Sequence, residues 1–164
     1  MRRVIWILLA AAVIALSGCA SKFKTYTGPE VTRVVVMKAD RRMYLLHHGQ
    51  VLRWFDIELG FAPEGHKTRY GDGRTPEGDY LIDRRNPNSA FHLSIGIDYP
   101  NEADVARALA LGFDPGGNIF IHGTPSLTTD RGPDWTWGCI AVTNDEMEDI
   151  YAMVGDGTPI TIYP

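Results

Sequence analysis

Two residues in this sequence, His122 and Cys139, carry side chains that can form and break bonds with a substrate. A thiol becomes a strong nucleophile when it ionises, and free cysteine has a pKa of about 8.5. A neighbouring imidazole can take that proton, and the pair can then attack an amide carbonyl. The residue types therefore predict acyl-transfer chemistry, with Cys139 as nucleophile and His122 as base. They also leave open a buried, inert thiol and a histidine satisfied within the core.

The sequence next to both residues suits such a site. An apolar segment leads into His122 and Gly123 follows it, so the imidazole is expected where a strand meets a loop. Gly138 precedes Cys139 and lets the backbone approach a substrate closely. A helix predicted to begin near Thr143 follows just after the thiol, and its positive end would favour the thiolate if it points towards the sulfur.

The elements that must position these residues are mostly strands. Short apolar segments separated by turn residues predict a mainly β domain, a sandwich or barrel, with two short helices. The predicted strands are 33–37, 43–47, 51–59, 78–83, 91–97, 118–122 and 158–163, and the predicted helices are 102–111 and 143–153. Asn101 and Thr143 are the expected N-caps, with Glu146 three residues after Thr143. Glycine, proline and charged residues predict a long loop over 61–77.

The N-terminus has the pattern of an export signal. Arg2 and Arg3 precede an apolar segment at 4–16, which is short for a hydrocarbon layer of about 30 Å. The following Leu-Ser-Gly-Cys19 is similar to a bacterial lipobox, in which cleavage precedes the cysteine and the cysteine is lipidated. We therefore expect a signal peptide at 1–18 and a lipidated tether at 19–31. An ordinary Cys19 near a plain cleavage site is the alternative.

Lipidation would leave Cys139 without a partner for an internal disulfide, because Cys19 is the other of the two cysteines. Acyl chains would hold the domain at a membrane surface, since each buried CH₂ contributes about 0.8 kcal/mol. Ala20, rather than an aspartate, follows the predicted lipidated cysteine. We therefore expect an exported, lipid-anchored protein at the periplasmic face of the outer membrane or elsewhere in the cell envelope.

Charge and ligand spacing exclude several function classes. The formal net charge is −4, and loss of Arg2 and Arg3 with the signal would make it about −6, which argues against nucleic acid as partner. His66 and His92 are the candidates to join the two reactive residues around zinc, but no paired ligand spacing such as Cys-x₂-Cys or His-Glu-x-x-His occurs. The turn around Asp72 is weak evidence for an ion site. We expect no cofactor, and a monomer.

Residues around the two reactive side chains resemble the L,D-transpeptidase catalytic domain (YkuD) family. The family signature is a His-Gly pair followed along the chain by Ser/Thr-x-Gly-Cys, and here His122-Gly123 and Thr136-Trp137-Gly138-Cys139 match it. Asn144 matches a polar residue that the family carries after the cysteine. Residues 75–80 and 93–104 are also similar, and the resemblance covers 32–163.

The resemblance implies a role for each matching residue. Cys139 would be acylated by a peptidoglycan stem peptide, and His122 would donate and accept protons in both half-reactions. Backbone groups at Gly138 and Gly123 would stabilise the oxyanion. The side chains expected to contact substrate are those of Trp137, Thr136 and Asn144. The implied activity is L,D-transpeptidation in cell-wall cross-linking or remodelling.

Two positions depart from the family pattern. Trp137 stands where many members have histidine, and Ala141 stands where many have an arginine that binds the carboxylate end of the stem peptide. The other cations considered for that task are Arg69, Arg74 and Arg131. The missing arginine favours a hydrolase alternative, an L,D-carboxypeptidase or an amidase that detaches a wall-linked protein. A non-catalytic peptidoglycan-binding lipoprotein is the third possibility.

Overall fold

One curled sheet of eight strands dominates the computed structural model, which describes residues 21–125 and 131–164. The elements in chain order are β1 (Arg33–Met37), β2 (Arg42–His47), β3 (Gln50–Asp56), β4 (Gly78–Asn86), β5 (Ser94–Ile97), α1 (Glu102–Ala110), β6 (Phe120–His122), β7 (Ile140–Ala141), α2 (Asn144–Met153) and β8 (Pro159–Tyr163). The predicted signal segment and Cys19 lie outside the described residues. Within those residues, no helix is long and apolar enough to cross a membrane.

The sheet curls until its two edges meet. The strand order is β3-β2-β1-β8-β4-β5-β6-β7, with β1/β8 and β6/β7 parallel and the other neighbours antiparallel. Glu58, just beyond edge strand β3, pairs with Ala141 of the opposite edge strand β7. Two backbone bonds of 2.9 and 2.8 Å join these residues in both directions. The result is a half-barrel in which distant parts of the chain lie side by side.

The core follows the alternation of the strands. Val34 and Val36 of β1 face inward, as do Met43 and Leu45 of β2, because side chains alternate between the two faces of a strand. Strand β5 is buried along its whole length, and the buried Met147 and Ile150 of α2 belong to the same core as its isoleucines. Burial of each such large aliphatic side chain contributes about 1.5–3 kcal/mol.

A buried lysine fixes the long loop at 61–77. The Lys38 side chain is 2% exposed, and its Nζ donates to the carbonyl oxygens of Gly65 at 2.7 Å and Thr75 at 3.1 Å. It also pairs with Glu77 at 2.7 Å. Burial lowers the pKa of Lys38, while Glu77 opposes that shift. The ammonium remains acceptable in the interior because several acceptors surround it, and the loop is thereby tied to β1.

The N-terminal residues that the structure describes lie against α2, although 21–30 contain no regular secondary structure. Lys24 Nζ is 3.0 Å from a carboxylate oxygen of Asp149 and 3.3 Å from one of Asp145. Lys22 Nζ donates to the carbonyl oxygens of Pro87 at 2.7 Å and His92 at 3.0 Å. This segment therefore follows the surface of the domain.

The prediction of a mainly β domain with two short helices is confirmed, and both predicted N-caps form capping boxes. Several strand ends were wrong. Strand β3 ends at Asp56 rather than at 59, because the chain there leaves β2 and crosses to β7. Strands β5 and β6 begin later than predicted, at Ser94 and Phe120. Strand β7 was missed, since two residues carry no periodicity.

Replacing the N-cap of α2 should destabilise the domain. Thr143 Oγ1 accepts from the Glu146 N–H, and Glu146 Oε2 accepts from the Thr143 N–H at 3.0 Å. Thr143→Ala removes the first bond and the bond that the hydroxyl donates to Glu146 Oε2 at 2.6 Å. It should lower the free energy of unfolding by about 1 kcal/mol, or the melting temperature by about 2–4 °C. Thr143→Ser keeps the hydroxyl and should retain most of the stability. Equal melting temperatures for the alanine variant and the unaltered protein would contradict this role.

Candidate active site

The register of β6 and β7 places His122 and Cys139 on one face of the sheet. Ile121 pairs with Ile140, so Cys139, one residue earlier, lies beside Phe120. Phe120 and His122 point to the same face because side chains alternate along a strand. Cys139 shares that face. It lies two residues before Ala141, the partner of His122, and long side chains can span such a diagonal separation. Both His122 and Cys139 line one cavity of about 560 Å³, which we call cavity A.

The imidazole of His122 is oriented by its own loop. Its Nδ1 lies 2.6 Å from the carbonyl oxygen of Gly123. A carbonyl can only accept, so Nδ1 carries the proton and Nε2 is the basic nitrogen. The ring packs against Phe91 and Trp135, with centroids 4.5 and 5.7 Å away. Burial lowers the pKa of His122, and the bond to Gly123 acts in the opposite direction.

Asn144, the first residue of α2, holds the chain that follows His122. Its Oδ1 accepts from the Thr124 N–H at 2.7 Å and from the Thr124 hydroxyl at 3.3 Å. A Cβ on Gly123 would lie 2.4 Å from this same oxygen, so only glycine fits between them. Asn144 does not line cavity A, and the predicted contact between its side chain and substrate stays a prediction.

A buried threonine fixes the turn that carries Cys139. Thr136 Oγ1 donates to the Cys139 carbonyl at 2.7 Å and accepts from the Gly138 N–H at 3.1 Å. Gly138 has a φ of +118°, and a Cβ there would come within 2.4 Å of the Arg74 carbonyl oxygen. A side chain at position 138 is therefore excluded twice, by conformation and by space.

The thiol has a mixed environment. Its Sγ lies 3.6 Å from the carbonyl oxygen of Asn118. Burial raises the pKa of Cys139, whereas a backbone hydrogen bond at Phe120 and the charges of Lys67 and Arg84 act to lower it. Because burial also lowers the pKa of His122, both groups rest uncharged near neutral pH. A neutral imidazole whose Nδ1 carries the proton has Nε2 free to act as a base.

An ionic clip holds the loop before Cys139 against the rest of the sheet. Asp134 accepts from Arg41 Nη2 at 2.6 Å, from Arg41 Nε at 3.0 Å and from the Leu59 N–H at 3.0 Å. The Asp134 N–H in turn donates to Glu58 at 2.6 Å. These partners lie far apart in sequence, and no sequence pattern signals the contact. The clip fixes the start of the loop that carries Trp135 and Trp137.

A second cavity adjoins the first at the sulfur. Cavity B, of about 720 Å³, shares Asn118, Trp137 and Cys139 with cavity A. Its other walls include Lys67, Tyr70, Arg84 and Tyr99. The Trp137 side chain is 70% exposed and meets Phe61 edge-to-face at 5.0 Å. The thiol is therefore approached from two sides.

The structure brings most of the predicted site together. Thr136, Trp137 and Arg131 line cavity A with the two reactive residues, whereas Arg69 and Arg74 line neither cavity. Cavity A is also lined by Asn86, Phe91, Ser94 and Asn118, which were not predicted, because their approach to the site depends on which strands become neighbours. Across 21–125 and 131–164, no group of three or more His, Cys, Asp or Glu side chains is arranged to hold a metal ion.

Comparison with known proteins identifies a family and several similar proteins. The YkuD model of the L,D-transpeptidase catalytic domain matches residues 31–162. The protein described as "Putative L,D-transpeptidase YafK" of Escherichia coli K12 is 32% identical over 109 residues, which make up 61% of this chain and 39% of that protein.

Solved structures agree with this similarity. The helical cell shape determining protein Pgp2 from Campylobacter jejuni has a TM-score of 0.62 at 28% identity, covering 88% of this chain and 51% of that one. Bd1075 of Bdellovibrio bacteriovorus has a TM-score of 0.57 at 23% identity, covering 82% and 48%.

This chain spans about two fifths of the curated relative and about half of each solved structure. The match to the family model covers nearly all of the described domain. The chain belongs to the L,D-transpeptidase catalytic domain family.

Proposed function

We propose that this domain is a cysteine-dependent L,D-transpeptidase that acts on peptidoglycan stem peptides through a thioester at Cys139. The observation that carries the proposal is the placement of His122 and Cys139 on one sheet face, lining one cavity, with the Nδ1 proton of His122 directed to the Gly123 carbonyl. That tautomer leaves Nε2 to act as the base.

The chemistry proceeds in two half-reactions. Nε2 of His122 takes the thiol proton as Sγ attacks the scissile amide carbonyl, and the imidazolium then protonates the departing amine as the C–N bond breaks. The product is a thioester on Cys139. An acceptor amine attacks this thioester and gives its proton to His122, and the thiolate leaves and recovers the proton.

The oxyanion needs a hydrogen-bond donor near Sγ. The Gly138 N–H donates to Thr136 at 3.1 Å, and the Gly123 N–H donates to the Leu93 carbonyl at 3.3 Å. Use of either group would break an existing bond, so the predicted oxyanion roles of Gly138 and Gly123 stay predictions. We favour the Cys139 N–H as the donor from this turn.

Two cavities that meet at the sulfur support transfer to an amine. Cavity A and cavity B can hold an acyl donor and an acceptor on opposite sides of Cys139. Hydrolysis of the same thioester is the second candidate, and it is favoured by Ala141, which provides no cation where many relatives have arginine. A pure binding module is disfavoured because it would have no use for a thiol and an imidazole that line one cavity.

We further propose that the chain is exported and lipid-anchored through Cys19, and that its activity alters the cell wall. The N-terminal pattern of basic, apolar and small residues before Cys19 supports export and lipidation. The description of Pgp2 as a cell shape determining protein supports an effect on cell shape.

Removing either reactive side chain should abolish turnover. Cys139→Ala lacks the nucleophile and His122→Ala lacks the base, so each should reduce kcat/KM on purified tetrapeptide muropeptides by about 10³-fold or more. Product formation is followed by mass spectrometry, and circular dichroism verifies that the fold persists. Cys139→Ser is the matched control for shape and should also be nearly inactive. Activity of Cys139→Ala equal to that of the unaltered protein would refute the mechanism.

The products should distinguish transfer from hydrolysis. Incubation with tetrapeptide muropeptides should give cross-linked dimers with loss of the terminal D-residue, because the amine of one stem reaches the thioester formed on another. Intact masses of the products are measured with and without an added amine acceptor. Shortened peptides alone, even at high acceptor concentration, would replace the transpeptidase assignment with the hydrolase one.

The pH dependence should show that the resting pair is uncharged. Burial raises the pKa of Cys139, so alkylation by iodoacetamide should still accelerate above about pH 8.5, the ordinary cysteine value. Burial lowers the pKa of His122, so kcat/KM should fall only below about pH 6.5, where the imidazole becomes protonated. Peptide mapping restricts the alkylation measurement to Cys139. A plateau in alkylation by about pH 6 would instead indicate a preformed thiolate–imidazolium pair.

A further inference from the structure

One lateral row of residues connects β4 to the reactive cysteine. Arg84 pairs with Gly96 of β5, and Gly96 pairs with Phe120 of β6. Cys139 lies beside Phe120, one residue before the paired β7. Residues directly opposite on neighbouring strands share a face. The guanidinium of Arg84 is therefore on the same side of the sheet as the thiol.

Gly96 gives the Arg84 side chain room to cross β5. A Cβ at position 96 would lie 2.5 Å from Arg84 Cγ and 2.6 Å from Nε, so the arginine occupies the space of the missing side chain. The guanidinium carbon then lies 4.5 Å from the centroid of the Phe120 ring. Cation–π attraction fixes the charge over this ring, at the wall of cavity B.

Arg84 remains available to a ligand, unlike the other cation of that wall. Lys67 is committed to a buried pair with Asp72 at 2.8 Å. Within the part of the chain described, the carboxylate bonded to Arg84 is that of its neighbour Asp83, and both side chains are more than one third exposed. An exposed ion pair of this kind contributes little to stability, and the arginine can readily exchange its carboxylate partner for another. A buried carboxylate from a substrate can therefore replace Asp83.

We propose that Arg84 binds a carboxylate of the substrate in cavity B, beside Cys139, in place of the arginine that many family members carry at the position of Ala141. This inference rests on the proposed function and names the residue that would select stem peptides whose leaving residue ends in a free carboxylate. Ala141 shares the face of Cys139 and His122, since it pairs with His122. Compared with those family members, the cation lies on the same face of the sheet. It belongs to the lateral row that contains Cys139 instead of the row that contains His122.

The geometry matches such a substrate. In an extended peptide, the carboxylate of the last residue lies about 4 Å beyond the carbonyl carbon that precedes it. When the scissile carbonyl lies at Sγ, this carboxylate therefore enters one of the two cavities that meet at the sulfur, cavity A or cavity B. Arg131 lines cavity A instead, where its guanidinium carbon stacks 4.7 Å from the Trp135 centroid. Guanidinium groups bind carboxylates in a bidentate fork that lysine cannot form.

The test compares a synthetic stem tetrapeptide bearing a free terminal carboxylate with the same peptide bearing a terminal amide. The full chain is purified in detergent, and kcat and KM are measured for both peptides. Arg84→Gln should raise KM for the acid about 10- to 100-fold, with little effect on the amide, so that the preference for the acid disappears. Arg84→Lys should recover only part of the preference. Arg53→Gln is the matched control, because Arg53 pairs with Asp149 on the surface, and it should leave both peptides unaffected.

A second variant keeps the charge and displaces it. Gly96→Ala should push the Arg84 side chain off Phe120 and weaken the preference for the acid, while Gly155→Ala, which meets open space, should not. Melting temperatures identify any variant that fails to fold. A preference for the acid that survives in Arg84→Gln, or that is lost in Arg131→Gln instead, overturns the proposal.

Binding separates this proposal from the proposed function. Calorimetry with Cys139→Ala measures the affinity for the acid and amide peptides without turnover. Tighter binding of the acid that disappears in Cys139→Ala/Arg84→Gln supports the carboxylate site, even where the unaltered protein gives no products. Equal affinity for the two peptides in Cys139→Ala overturns it, whatever the turnover.

Discussion

The parallel pairing of β6 with β7 controls the relation between thiol and imidazole. Strand β7 is only two residues long, and a slip of one residue would turn Cys139 to the opposite face of the sheet. Bonds on both flanks prevent that slip: Glu58 pairs with Ala141 on one side, and the Val142 N–H donates to the His122 carbonyl at 3.0 Å on the other. The closure of the half-barrel is therefore what sets the register of the site.

Polar contacts then fix the chain segments around His122 and Cys139 that the strand register has brought together. Asp134 ties the loop before Cys139 to Arg41, Thr136 fixes the turn itself, and Asn144 fixes the chain after His122. Each of these side chains satisfies backbone groups that would be costly to leave unpaired where water is scarce. Positioning thus comes from several local bonds that act on separate segments, with the reactive groups themselves left few partners.

The sequence was informative where the signal is local. Periodicity predicted both helices and every described strand except β7, and residue types with the His-Gly and Gly-Cys pairs predicted the reactive residues. The Arg84–Gly96–Phe120 row was beyond reach, because it depends on which strands become neighbours and on a bulge between Ile82 and Arg84. The clip between Arg41 and Asp134 was likewise invisible, since a surface arginine and an aspartate far apart in sequence carry no pattern.

If Cys19 carries the proposed lipid, the docked N-terminal segment limits how far the domain can stand from the membrane. Lys22 donates hydrogen bonds to the carbonyl oxygens of Pro87 and His92, in the turn between β4 and β5. Cavity A is lined by three other residues of that turn, Ser89, Ala90 and Phe91. Two residues, Ala20 and Ser21, lie between Cys19 and Lys22, so the chain from Cys19 to Lys22 spans at most about 10 Å. With a lipid on Cys19, the mouth of cavity A would lie close to the lipid headgroups. The enzyme would then act on the bonds in the layer of cell wall nearest the bilayer.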